Sequence, residues 1–381
     1  MANVLSNLAA DIYKAADMVG RELVGIIPSV TINGDATTRA AKGDTIRSHA
    51  TRAVTVSSSF APAMTIPEGT DQTVDTKTMT VDTYASVQIP WTGEDVKHVN
   101  NGTGFETIYG DQIKQAMRAI TNTIETALWT AAYKGASRGY GTAGTTPFAS
   151  SFAELPQLRK ILADNGCPFD GQLSVVMNTT AGANLRSLAQ LQKANEGGGT
   201  DLLRQGTLLD LMGFMLKESA GIGSHTAGTG SGYLLNDAAS AVGNTTIATD
   251  TGTGTVLAGD IVTFAGTTHK YVVNTALSGG NFVIGAPGLR VAEADNDAIT
   301  VGAAYTPNLA FHRSAIELGI RPPAMPPGGD AAVDMMTVQD PWSGLVFEIA
   351  VYKGFMKAMF DVRCLYGTKV WKSDFVATLL G

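Results

Sequence analysis

Ile113, Met117, Ile120, Ile124, Leu128 and Ala131 follow one another at intervals of three or four residues, the repeat of a single helix face. The stripe predicts a helix over roughly 108–132, about 40 Å long at 1.5 Å per residue. Gly135 and the Gly-rich GYGTAG segment close it. A narrower stripe, Leu5, Leu8, Ile12, Val19 and Leu23 with Ala15 and Ala16 in the gap, predicts a terminal helix over 4–24. Such a helix needs its own body or a neighbouring subunit to pack on. ELPQLRKILADNG, ending at Gly166, and TTAGANLRSLAQLQ read as shorter helices around a buried strand, QLSVVMN. TLLDLMGFMLKES then leads into another strand, so 153–240 reads as mixed α/β.

Alternation with period two appears elsewhere. After Pro28 the chain is polar and irregular through KGDTIRSH. Arg52–Ser58 then places Val54 and Val56 on one face, and Thr78–Ile89 places Met79, Val81, Val87 and Ile89 on one parity. Two strands with the long APAMTIPEGTDQTVDT connection make an arm that cannot be stable alone in water. It rests on a neighbour or, alternatively, forms an ordinary sheet edge on its own core. Residues 238–306 are rich in Thr, Gly, Val and Ala, with a turn signal every 8–12 residues. TVL, IVTF, KYVVN, NFVIG, LRVA and AITVG lie between the turns and predict an inserted barrel or sandwich of five or six strands. Near the C-terminus Leu345, Phe347, Ile349 and Val351 alternate with Val346, Glu348, Ala350 and Tyr352. The turn YKGF, a strand through Phe360–Cys364 and TKVWKSDFVATLLG complete an antiparallel sheet.

Composition narrows the functional classes. Of 381 residues, only 16% are charged, and the net charge is −7, which opposes a broad electrostatic grip on DNA. Cys167 and Cys364 stand far apart, so a disulfide framework is not indicated and a reducing cytoplasm fits. The N-terminus lacks the basic start and apolar run of a signal peptide, and no run of about 18 apolar residues predicts a membrane span.

Candidate chemistry is sparse. His49, His98, His225, His269 and His312 form no pair at metal-ligand spacing. Glu94, Asp95 and His98 share a helix face, which a capped first turn explains more simply than a metal. GTGSG at 228–232 and GGGT at 197–200 lack the Gly-Lys-Ser/Thr of a phosphate loop and read as flexible loops. GIGSHTAG is not a nucleophile elbow. Asp210 stands alone, and Glu293, Asp295 and Asp297 lack calcium-loop spacing and read as a solvated turn. Arg39, Lys42, Arg47 and Arg52 form a modest basic stretch beside the arm. The expectation is that they face Glu68, Asp71 and Asp75 of a neighbour's loop, setting register more than stability.

Taken in order, these elements resemble the coat proteins of short-tailed and related tailed bacteriophages. KGDTIRSHATRAVTV and TMTVDTYASVQIPWTGED resemble the two strands of that family's extended loop, and DQIKQAMRAITNTIETALWTAA its spine helix. LADNGCPFDGQLSVVMN and LRQGTLLDLMGFMLKESAG resemble its axial region. LAGDIVTFAGTTHKYVV resembles the start of an inserted domain, and NLAFHRSAIELGIRPP and DPWSGLVFEIAVYKGF the return into a peripheral sheet. The collinear order carries the likeness, which covers nearly the whole chain.

The resemblance implies an α+β, Hong Kong 97-like capsid fold, divided as follows. Residues 1–42 would be an N-terminal helix and arm, 43–90 an extended two-stranded loop, and 91–150 a peripheral domain with the spine helix. Residues 151–237 would be an axial domain, 238–306 the barrel, 307–342 the axial return and 343–381 the peripheral C-terminal strands. It also implies self-assembly into hexamers and pentamers of an icosahedral virion shell, built in the host bacterial cytoplasm. A scaffolding protein and a portal would act in assembly, a decoration protein is a further candidate partner, and packaged double-stranded DNA would be touched weakly. No catalytic, cofactor or metal residue and no membrane is implied. Two alternatives remain: the shell of a cargo-holding bacterial nanocompartment of the same fold, against which the barrel argues, and an α/β enzyme, which needs a convergent polar constellation.

Overall fold

The computed structural model describes residues 24–51, 62, 64–66, 74–99, 105–192, 210–237, 239–340 and 343–381. The terminal helix over 4–24, the strand Arg52–Ser58 and the GGGT loop lie outside them.

The spine helix spans Phe105–Lys134. Its buried face is wider than one seam. Ile120, Ile124 and Leu128 form one buried row, and Thr121, Glu125, Trp129 and Tyr133 form the next. Two adjacent i,i+4 rows make the broad stripe of a helix packed on a sheet. Two sheets meet this stripe.

The first sheet has six strands. In order they are Thr31–Gly34, Ile316–Arg321, Lys357–Val370, Val346–Gly354 and Ala332–Gln339, with Thr83–Thr92 along the other edge of Lys357–Val370. The alternation read near the C-terminus has its physical cause here. Leu345, Phe347 and Ile349 enter the core shared with the spine helix, while Glu348 and Tyr352 lie on the opposite face.

The second sheet begins with five mixed strands: Met215–Glu218, Leu173–Met177, Pro307–His312, Val376–Leu380 and Arg138–Gly141. Its three central strands are buried along their whole length, as expected where both faces are covered. Val176, Leu309, Phe311, Val376 and Leu380 face the spine helix. Leu173, Val175, Met177, Ala310, Ala377 and Leu379 face a second core with the helices Glu154–Asp164 and Thr179–Ser187. The last strand therefore does not finish the first sheet, as the sequence suggested, but runs through the middle of the second. The Gly-rich segment after the spine helix is likewise a strand, not only a closure.

A closed six-stranded barrel continues from Arg138–Gly141. Around the ring lie Ile261–Phe264, Ala298–Val301, Ser231–Leu235, Thr246–Thr253, Asn281–Ile284 and Lys270–Ser278, and the last pairs with the first. Ser231–Leu235 lies upstream of residue 238, so the ring takes a strand from the segment read as α/β. TVL and LRVA are connections rather than strands. Tyr271, Phe282, Leu235, Ile247 and Val262 fill the interior.

The arm differs from its sequence reading in two ways. Its described first strand is Asp44–Thr51, where the periodicity alone read irregular chain through residue 49 and the resemblance read a strand, and it pairs with Val74–Val81 over eight residues. The second strand breaks at Asp82. Thr83–Thr92 leaves the arm and joins the six-stranded sheet opposite Lys357–Tyr366. Met79 and Val81 are buried at the arm's base. A Cβ on Gly319 would lie 2.6 Å from Met79 Cε, and one on Gly367 would lie 2.2 Å from Thr80 O. Glycines thus form the floor on which the arm sits, while its middle, at Met64 and Ile66, is exposed.

Candidate functional site

Several of the polar side chains singled out in the sequence have structural work inside the subunit. Asp95 Oδ2 accepts from Thr92 N at 3.1 Å, and Thr92 Oγ1 accepts from Asp95 N at 3.2 Å. That reciprocal pair caps the helix Gly93–Val99. Glu94 and His98 are exposed beside it, and Asp210 is exposed. His49 lies in the arm opposite Thr76. His312 bonds Asp170 at 3.0 Å and Ser314 at 2.8 Å.

Two loop readings need correction. GTGSG is pinned rather than flexible: Gly228 N donates to the Asp260 carboxylate at 3.1 Å and Gly230 N to Thr255 O at 2.8 Å. The acidic turn is only partly solvated. Asp297 accepts from Ala294 N at 2.7 Å, but Glu293 is buried, and burial pushes its carboxyl above the usual range.

His225, in GIGSHTAG, lies in a buried clasp that the sequence did not reveal. Its Nε2 bonds Asp260 Oδ1 at 2.7 Å, and its Nδ1 lies 3.3 Å from Tyr133 Oη on the spine helix. Its backbone N donates to Tyr305 O at 2.8 Å. His225 precedes the barrel and Tyr305 follows it, so both crossings of the chain are joined at one point. Tyr305 donates to Gly259 O at 2.7 Å. Burial pushes the phenols of Tyr133 and Tyr305 upward, so both are donors at neutral pH.

A second unforeseen element is Glu125. Its Oε1 accepts from Gly25 N and Ile26 N at 2.8 Å and from Ser219 Oγ at 2.7 Å, and its Oε2 accepts from Ile27 N at 2.9 Å. This buried carboxylate caps the 3₁₀ turn at Ile27–Ser29 and ties the N-terminal segment to the spine helix. The available signal was a charge flanked at i±4 by Thr121 and Trp129.

The basic stretch divides. Arg39 is committed within its own chain: it pairs with buried Glu348 and donates to Pro323 O at 2.7 Å. Glu348 also accepts from Arg363 Nε at 2.8 Å. Lys42 and Arg47 are exposed, while Arg52, Glu68 and Asp71 lie outside the described residues. Neither cysteine is suited to nucleophilic chemistry. Both are buried, and burial pushes their thiols up, Cys167 to about 11 and Cys364 to about 12.

A groove of about 680 Å³ runs between the spine helix and Lys357–Val370. Asn122, Thr123, Thr126, Thr130, Lys134 and Tyr366 are among its lining, which holds no carboxylate, histidine or cysteine. Among the described residues no group of three His, Cys, Asp or Glu could hold a metal. Among them no helix is long and apolar enough to cross a membrane.

No protein-family model matches the chain, and no curated protein does. Solved structures do. The capsid structure of the Cyanophage P-SCSP1u aligns with a TM-score of 0.50 at 12% identity, covering 94% of this chain and 88% of that one. Mycobacterium phage Che8 aligns with a TM-score of 0.48 at 14% identity, covering 89% and 85%. The mature capsid of bacteriophage PhiM1 aligns with 0.48 at 12%, covering 92% and 85%. The chain has the fold found in the cyanophage capsid: sheet-rich, with few helices and, here, a closed six-stranded barrel.

Proposed function

We propose that the chain is the major capsid protein of a tailed bacteriophage, a subunit that closes with copies of itself into an icosahedral shell around double-stranded DNA. The observation that carries this is the fold shared with a phage capsid over 94% of the chain. Fold alone does not fix function, and two local features support the same reading. Among its described residues the arm packs on its own subunit through Met79 and Val81 at its base, and Met64 and Ile66 are exposed. The polar clusters at Glu125, His225 and Glu348 join segments of one chain, as in a rigid building block.

In this reading the fold is of the Hong Kong type, with the arm as its extended loop and the barrel as an insertion between axial segments. The hexamers and pentamers assemble on a scaffolding protein with a portal at one vertex, in the bacterial cytoplasm. Exposed Arg47, with Arg52, meets Glu68, Asp71 and Asp75 of the adjacent copy. Reversing the charge of Arg47 or Arg52 shifts the salt dependence of assembly; assembly unaffected at every salt concentration removes that contact from the scheme. Electron microscopy of the protein co-expressed with its upstream gene neighbours tests the whole. Closed shells of uniform size are expected, and a compact monomer under all assembly conditions overturns the reading.

A further inference from the structure

The barrel meets the helix Glu154–Asp164 across a cluster of cations in a protein of net charge −7. Arg138 and Tyr271 are directly opposed across paired strands, which places both side chains on one face. His269 lies two residues from Tyr271 on that face, with ring centroids 6.1 Å apart. Arg290 enters from the turn after Asn281–Ile284, its backbone N donating to Tyr271 Oη at 2.9 Å. Lys160 is exposed on that helix one turn before Asp164, near enough to act electrostatically on His269.

Arg138 is buried but poorly compensated. A single nitrogen, Nη2, makes three long contacts: Ile161 O at 3.4 Å, Asp164 at 3.4 Å and Asn165 at 3.3 Å. Its Nε is buried with no acceptor. Those contacts account for Arg138 as a cap on the helix C-terminus; among the described residues Arg290, Lys160 and His269 make no ion pair. The carboxylates within reach are Asp164, already shared with Arg138, and buried Glu293, whose ionisation burial opposes. Burial and the neighbouring Arg138, Arg290 and Lys160 all hold the His269 imidazole below its ordinary value, with Asp164 opposing them. A buried cation is costly unless fully paired, and Arg138 keeps one buried nitrogen without an acceptor beside half-buried Arg290 and His269 and exposed Lys160.

We propose that this junction is a binding site for a phosphate-type oxyanion, held by Arg290, Lys160 and His269 over the buried guanidinium of Arg138. Planar guanidinium forks match the tetrahedral oxygens of phosphate. The ligand is either free phosphate or a phosphodiester of nucleic acid. The site rests on these contacts alone and stands or falls separately from the shell reading.

The full-length protein is tested by thermal unfolding in inorganic phosphate against chloride at matched ionic strength. A rise in Tm of about 3 °C is expected at a hundredfold excess over Kd, growing with the logarithm of the phosphate concentration. Arg290→Gln combined with Lys160→Gln abolishes the rise. In phosphate-free buffer the same variant unfolds at or above the Tm of the parent, because it relieves repulsion on Arg138. A bound anion favours imidazolium, so the His269 resonance titrates higher with phosphate present than without it. Short duplex DNA that competes with phosphate identifies the phosphodiester as the source; DNA without effect identifies the free ion. No rise in the parent, or an equal rise in the double variant, overturns the proposal.

Discussion

Replacing Glu125 by Gln tests whether one carboxylate holds the N-terminal segment to the spine helix. The native side chain accepts four hydrogen bonds, three of them from consecutive backbone amides, Gly25 to Ile27. In the variant the remaining oxygen keeps the three bonds at the Oε1 position but loses their charge assistance, about 1 kcal/mol each. The new amide nitrogen confronts the Ile27 N–H and strands a buried donor, about 2 kcal/mol. Removing a desolvated charge returns about 2 kcal/mol. The net loss is about 3 kcal/mol, a factor of roughly 100 in local opening. Native-state hydrogen exchange reads this directly: the Gly25, Ile26 and Ile27 amides exchange about a hundredfold faster, and the urea midpoint falls. Unchanged protection at those three amides, with stability within about 0.5 kcal/mol of the parent, would refute the reasoning.

Further outcomes follow from other contacts. Gly367→Ala drives a Cβ against Thr80 O and costs about 2–3 kcal/mol; amide exchange across Val74–Val81 should accelerate more than in the barrel, and uniform acceleration would count against the glycine floor. Asp361 is buried, its Oδ1 without a hydrogen-bond partner, and burial, then Glu348 and Asp330 after the opposing Arg363, set its carboxyl above the usual value. A carboxyl raised on folding costs stability as pH rises from the unfolded value through the folded one. Asp361→Asn therefore raises Tm at neutral pH, and the gain vanishes as pH approaches 4; a lower Tm at pH 7 contradicts this. Cys167 and Cys364, buried with raised thiols, resist iodoacetamide in the native protein at pH 7.5 and react in denaturant; native labelling of either shows that its burial is not maintained.

The sequence disclosed elements whose periodicity and burial agree. The spine helix shows through Ile120, Ile124 and Leu128, and the strand Leu173–Met177 through its continuous apolar run. The barrel shows through its turn spacing. Three kinds of feature stayed hidden. Arg138–Gly141 is a strand because partners pair with it, not because its two glycines and arginine favour it. Thr78–Ile89 keeps one parity throughout, so nothing in the pattern marks Asp82, where the chain passes from arm to sheet. The clusters at Glu125, His225 and Glu348 join residues 94 or more positions apart in the first case, 35 and 92 in the second, and 309 between Arg39 and Glu348 in the third, distances no local motif spans. The same holds for the likeness to phage coat proteins: each string was weak, and their order alone carried it.

The clasp between His225 and Tyr305 places the two ends of the barrel's excursion side by side, so excising the intervening residues and bridging the gap requires only a short linker. The cut would nevertheless unpair Arg138–Gly141, which takes Lys270 and Tyr271 as its neighbours on that side. A bare strand flank invites indiscriminate pairing between molecules. The barrel thus also serves as a border strip, and a barrel-free descendant would need a further charge or a proline along residues 139–141 to stay in solution.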